Sequence, residues 1–134
     1  MATGTIILTP GSAIFPDGSA SNVGAALQRV KSSAGAPTPY FLELAFDAAT
    51  EEMCFWQFRM PSDYASAPVA KVQYKMTSAT SGTFICDVSL MAVTPGDAQD
   101  VDADAFATKN SATDTVPGTA GYLDEVSVTL TNAD

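Results

Sequence analysis

Histidine is missing altogether from this 134-residue chain, and the other side chains that do chemistry near neutral pH are scarce. Without an imidazole, neither a Ser–His nor a Cys–His nucleophile pair can be assembled. The two cysteines, Cys54 and Cys86, lie far apart with no CxxC spacing, which removes the usual zinc and redox motifs. On the burial preference of cysteine they read as buried free thiols on strands, with a disulfide as the alternative. Basic residues are few: six Lys and Arg stand against fifteen Asp and Glu, for a net charge of −9. They form no cluster, so the chain is repelled by phosphate, and nucleic acid and anionic membrane surfaces are excluded as partners. No apolar run approaches the roughly 18 residues of a membrane span. The opening "MATGTIILTP" has neither the basic start nor the long apolar stretch of a signal peptide, which predicts a chain made and used without Sec export. No glycine-rich phosphate loop is present. These absences predict no enzyme, no catalytic residue, no cofactor and no metal.

What is present is apolar: 46% of residues are hydrophobic and only 16% are charged. A chain of this length buries about two-thirds of its unfolded surface and needs no disulfide or metal to fold. Its remaining surface, rich in Ser, Thr, Ala and Asp, suits a protein that lives in an assembly.

Residues 1–39 read as an extended N-terminal arm or partly ordered lead-in. "TGTIIL" can form a short strand, and "TPGSAIFPDGSASN" is turn chemistry. "VGAALQRVKSS" predicts about two helical turns with Val23, Leu27 and Val30 on one side, broken by "AGAPTP". From Tyr40 the apolar period becomes two. Tyr40, Leu42, Leu44 and Phe46 share a face, as do Cys54, Trp56, Phe58 and Met60. Val72, Tyr74 and Met76 follow, then Phe84, Cys86, Val88, Leu90 and Ala92, then Tyr122, Val126, Val128 and Leu130. Such alternation marks strands with one face on a core and one in solvent. Short, turn-rich connectors make neighbours antiparallel. The expected fold is therefore all-β: residues 40–134 form an antiparallel β-sandwich with jelly-roll or Greek-key topology.

The longest connection, residues 94–121, contains "PGDAQDVDAD", with Asp97, Asp100, Asp102 and Asp104. An EF-hand loop starting at Asp100 fails, because position 6 is Ala105 and position 12 is Ser111 instead of Gly and Glu. The spacing instead predicts a short solvated helix near residues 97–108, capped by Asp97, with a weak cation site as the alternative. Glu51 and Glu52 are adjacent on an extended chain, point to opposite faces and cannot flank one bond.

Trp56 and Phe58 read as core rather than as a sugar-stacking platform, which leaves Phe55 and Tyr64 as exposed contacts. Ile85 and Met91 fall out of phase with their strand's inward face and suggest a subunit interface. With Ile14, Phe15 and Leu27 of the arm, they make the candidate interaction surface.

Two stretches carry a resemblance. "FWQFRMPSDYASAPVAKVQYKMTSATSG" joins an aromatic strand, an Asp-Tyr-Ala turn and an alternating strand, and "DAQDVDADAFATKNSATDTVPGTAGYLDEVSVTLTN" adds the Asp/Ala segment, a "TDTVPGT" turn and a Val/Thr strand. Over roughly residues 40–132 the chain resembles tailed-bacteriophage virion proteins with a small jelly-roll domain, of the capsid decoration or cement type. The resemblance implies a non-enzymatic structural protein that stabilises the outside of the capsid as a homotrimer, with the major capsid protein as partner. Its place is then the outer capsid surface of the virion, after synthesis in the host cytoplasm. It also implies a further strand after "SVTLTN", unless this member is shorter; more chain or a neighbouring subunit would supply that strand. The alternative is a recognition module on a tail or head fibre, binding host glycan or surface protein through loops near Tyr64 and residues 94–121.

Overall fold

A computed structural model describes residues 4–132; residues 1–3 of the expected arm and the last two residues lie outside the described part. The chain is all-β with antiparallel ladders, as the alternation predicts. Among the described residues, a 3-10 turn at Pro10–Ser12 precedes six strands: β1 (Ala26–Lys31), β2 (Tyr40–Ala45), β3 (Val69–Tyr74), β4 (Thr83–Val88), β5 (Asn110–Thr115) and β6 (Asp124–Thr129). They pair as three two-stranded ribbons, β1 with β2, β3 with β6 and β4 with β5. The chain divides into two compact units, Met1–Tyr64 and Ala65–Asp134. The expected boundary at Tyr40 thus falls inside the β1–β2 ribbon.

In the first unit, the segment expected as two helical turns is strand β1. Its six residues pair with β2 in a register that sets Ala26 opposite Ala45 and Lys31 opposite Tyr40. So short a run is a poor autonomous helix, whereas the ladder engages all six residues with a partner. The connecting loop is closed by the Ser32 amide donating to the Pro39 carbonyl at 3.0 Å. Two isolated bridges, Ile14 with Phe55 and Gly24 with Met53, tie residues before β1 to those after β2. Residues 53–60, expected as a full strand, contribute only those bridges. Ala25 is the sole buried apolar residue among the described residues of this unit.

The second unit holds the real core. β3 alternates with Ala70, Val72 and Tyr74 inward, β4 with Phe84, Cys86 and Val88 inward, and β6 with Val126 and Val128 inward. Val128 is completely buried, and Val116, Val126 and Leu130 are nearly so. Tyr74 of β3 stacks on Phe84 of β4 with ring centroids 4.6 Å apart, so those two strands meet through side chains rather than a ladder. β6 returns beside β3, fourth strand next to first, with the β4–β5 pair nested between them in sequence. β5 carries little apolar signal and is held by its register, which runs from Thr83 opposite Thr115 to Val88 opposite Asn110.

One buried polar side chain organises this unit. Asn110 Oδ1 accepts from the Thr131 amide at 2.9 Å, the Asn132 amide at 3.0 Å and the Thr131 hydroxyl at 3.2 Å. Its Nδ2 donates to the Val88 carbonyl at 3.3 Å and the Asn132 carbonyl at 3.4 Å. A buried amide is tolerated because its hydrogen-bonding capacity is met in this way.

The helix expected near residues 97–108 does not form. The segment is a series of turns, with the Asp97 amide donating to Thr94 O and the Ala103 amide to Asp100 O. Gly96 has a φ of +100°, and the aspartates bond nearby amides: Asp102 N to Asp100 Oδ1 and Ala105 N to Asp104 Oδ1. Short side-chain acceptors that capture local amides compete with the helical ladder, and Asp100 and Asp104 do so here.

Candidate interaction surface

In an antiparallel ribbon, directly opposed residues share a face. One face of β1–β2 therefore gathers Leu27 opposite Leu44, Arg29 opposite Leu42 and Lys31 opposite Tyr40. Leu27, Leu42 and Tyr40 are exposed, Tyr40 by 56%. The Arg29 guanidinium lies 5.6 Å from the centre of the Tyr40 ring, a cation–π contact that holds the charge beside the apolar patch. The reverse face sets Val30 against Phe41 and Gln28 against Glu43.

The structure brings some of the sequence-predicted residues together. Ile14 and Phe55 exchange backbone bonds of 2.7 and 2.8 Å, with Phe15 next in the chain. Ile14 and Phe15 are exposed, whereas Phe55, expected outside, is half-buried. Leu27 sits on the ribbon face. Tyr64 is exposed in a turn closed by its own amide donating to Pro61 O at 3.1 Å. In the second unit, Ile85 is 63% exposed on the outer face of β4–β5, opposite Thr113, and Met91 is exposed just beyond β4.

Several expected core residues lie outside instead. Tyr40, Leu42 and Phe46 are exposed, as are Phe58, Met60 and Tyr122. Tyr40 and Leu42 lie on a two-stranded ribbon that only the Pro10–Ser12 turn approaches, with Gly11 against Leu42, and Phe46, Phe58, Met60 and Tyr122 lie outside the strands. Trp56 is half-buried and donates its Nε1 hydrogen to the Thr9 carbonyl at 3.0 Å. Nothing in the sequence marks Tyr40 and Leu42 as surface groups, because alternation identifies a shared face without saying what covers it.

Asp87 accepts from Lys109 Nζ at 2.6 Å and from the Ser111 hydroxyl, and these bonds lower its pKa, the lysine contributing most. Partial burial, then the hydrogen bond from its own hydroxyl to Asp114, pushes Tyr74 up to about 12. Burial pushes Cys54 up to about 11 and raises Cys86 as well, with Asp87 adding to the latter. Both thiols are free and half-buried, less enclosed than expected, and Cys54 lies between two bridges rather than on a strand. Among the described residues, no three Cys, Asp or Glu side chains converge as a metal site. None of their helices is long and apolar enough to cross a membrane.

Large apolar side chains stand exposed in both units, among them Ile7 at 80% and Leu123 at 68%. The chain matches no protein-family model, no curated protein and no solved structure.

Proposed function

We propose that this chain is a non-enzymatic structural subunit of a tailed-phage virion, a homo-oligomer seated on the outside of the capsid and stabilising it. The observation that carries this reading is the exposed apolar surface. Tyr40, Leu42, Phe46, Ile85, Tyr122 and Leu123 are all exposed. Such a chain gains most by being covered. The resemblance described above supplies the setting, with the major capsid protein as partner and a trimer as the oligomer. The jelly-roll reading of the body draws support from the return of β6 beside β3. The net charge of −9 favours an outer position, because an inner one would face packaged DNA.

The mechanism is mass action. A subunit that binds the assembled shell and not its dissociated proteins shifts the equilibrium toward the shell. Capsids stripped of this protein should release their DNA at a lower temperature than intact ones, and adding it back should restore the release temperature. Identical release temperatures would reject the stabilising role.

A second reading, a tail or head-fibre recognition module, is favoured by Tyr64, an aromatic side chain exposed at a turn. Immunogold labelling of intact particles separates the two, since label on heads and label on tails are distinct outcomes.

A further inference from the structure

We infer that the Arg29–Lys31 face of the β1–β2 ribbon is an interface between copies of this chain, and that it receives the 95–106 loop of a neighbouring copy. The inference deepens the homo-oligomer reading and rests on it.

Charge singles out the occupant. The ribbon face carries Arg29 and Lys31 with Leu27, Leu42, Leu44 and Tyr40, and it contains no acid; the ribbon's Glu43 lies on the reverse face. The chain has only four other basic residues against fifteen acids, so this face is a cationic, apolar island on an anionic molecule. Two such faces laid against each other would bring like charges together under cover. The complement must be apolar and anionic.

The 95–106 loop has both properties. Asp97, Asp100, Asp102 and Asp104 are exposed, and Val101 and Phe106 are exposed among them. Asp100 accepts from the Asp102 amide, and Asp104 from the Ala105 amide and Gln99 Nε2. Each carboxylate has about four lone-pair sites, so these local bonds leave acceptors for a guanidinium and an ammonium.

Face against loop is a heterologous contact, which closes into a ring when the rotation between copies allows it.

The test uses the full chain in sedimentation equilibrium at about 0.05 M and about 0.5 M salt. The unaltered protein should be oligomeric and should dissociate more readily in high salt, a readout that needs no variant. Arg29→Glu with Lys31→Glu should weaken self-association by roughly a hundredfold. Adding Asp100→Lys and Asp102→Lys to the same chain should restore it. An oligomer that ignores both salt and charge reversal overturns the interface while leaving the capsid-binding reading intact. Failure of the fourfold variant to recover also overturns it, in favour of some other acidic partner on the ribbon. A monomer at both salts overturns the interface as well; if that monomer also fails to bind stripped capsids, the proposed function goes with it.

Discussion

The Tyr74 hydroxyl donates to Asp114 Oδ2 at 3.0 Å, linking β3 to β5, while the same ring stacks on Phe84 of β4. One side chain thus joins strands from both ribbons of the second unit. Tyr74→Phe keeps the stack but leaves a part-buried carboxylate without its donor, at a cost of about 1–2 kcal/mol in urea unfolding. The pH dependence has a definite sign. The folded pKa, about 12, lies above the ordinary value of 10, so the folded state holds the proton more tightly. Its contribution is complete below pH 10 and is lost as pH rises toward about 12. Tyr74→Phe should flatten that alkaline limb of stability.

Asn110 predicts the larger loss. Replacing it with Ala orphans the Thr131 and Asn132 amides, and the expected cost is about 2–3 kcal/mol by chemical denaturation. Hydrogen exchange gives the local check: the Thr131 and Asn132 amides should lose protection even where β6 keeps it.

Core and surface valence should separate cleanly in the second unit. Val128→Ala removes buried methyl groups from a fully enclosed site and should cost about 2 kcal/mol. Ile85→Ser, on the exposed face, should change stability by no more than about 0.5 kcal/mol. If capsid attachment uses that face, Ile85→Ser should weaken binding to stripped particles without altering the melting temperature.

Asp87 should titrate below the ordinary aspartate value of 3.8, because Lys109 and Ser111 favour its charged form. Depression means its contribution is present above that ordinary value and is lost as pH falls through the folded pKa. The pair is largely exposed, so Asp87→Asn should cost under about 1 kcal/mol near neutral pH. A carbon-detected NMR titration of the carboxyl group gives the direct measurement.

Cys54, pushed to about 11, should be nearly inert to iodoacetamide at mildly alkaline pH. Its alkylation should run roughly a hundredfold slower than that of free cysteine, in line with its thiolate fraction. Fast labelling of Cys54 in the native protein would contradict the burial described for it.

What could be read in the sequence followed the core. β3, β4 and β6 announced themselves because Val72, Tyr74, Phe84, Cys86, Val126 and Val128 alternate against polar neighbours, and burial enforces that pattern. β5 was silent: "NSATDT" exists as a strand through its pairing with β4, which no local pattern encodes. β1 misled because Val23, Leu27 and Val30 have helical spacing, yet a partner strand a short loop away decided the conformation. The aspartates of residues 97–104 misled for a different reason, since the side chains that cap a helix also capture amides in turns. For the interaction surface, the sequence could nominate exposed groups such as Ile14, Tyr64, Ile85 and Met91. It could not show that Tyr40 and Leu42 stay exposed, which depends on how many strands a sheet recruits.

The bonds from Asn110 to Thr131 and Asn132 also have a mechanical meaning. A pull applied along the chain beyond β6 reaches this amide before it reaches the ladder between β6 and β3. Several bonds converging on one buried side chain share that load, and they must break together before β6 can peel. Tension on this end is passed to the start of β5 and, through the Val88 carbonyl, to the end of β4. Under load, that is the difference between a seam that unzips and a rivet that holds.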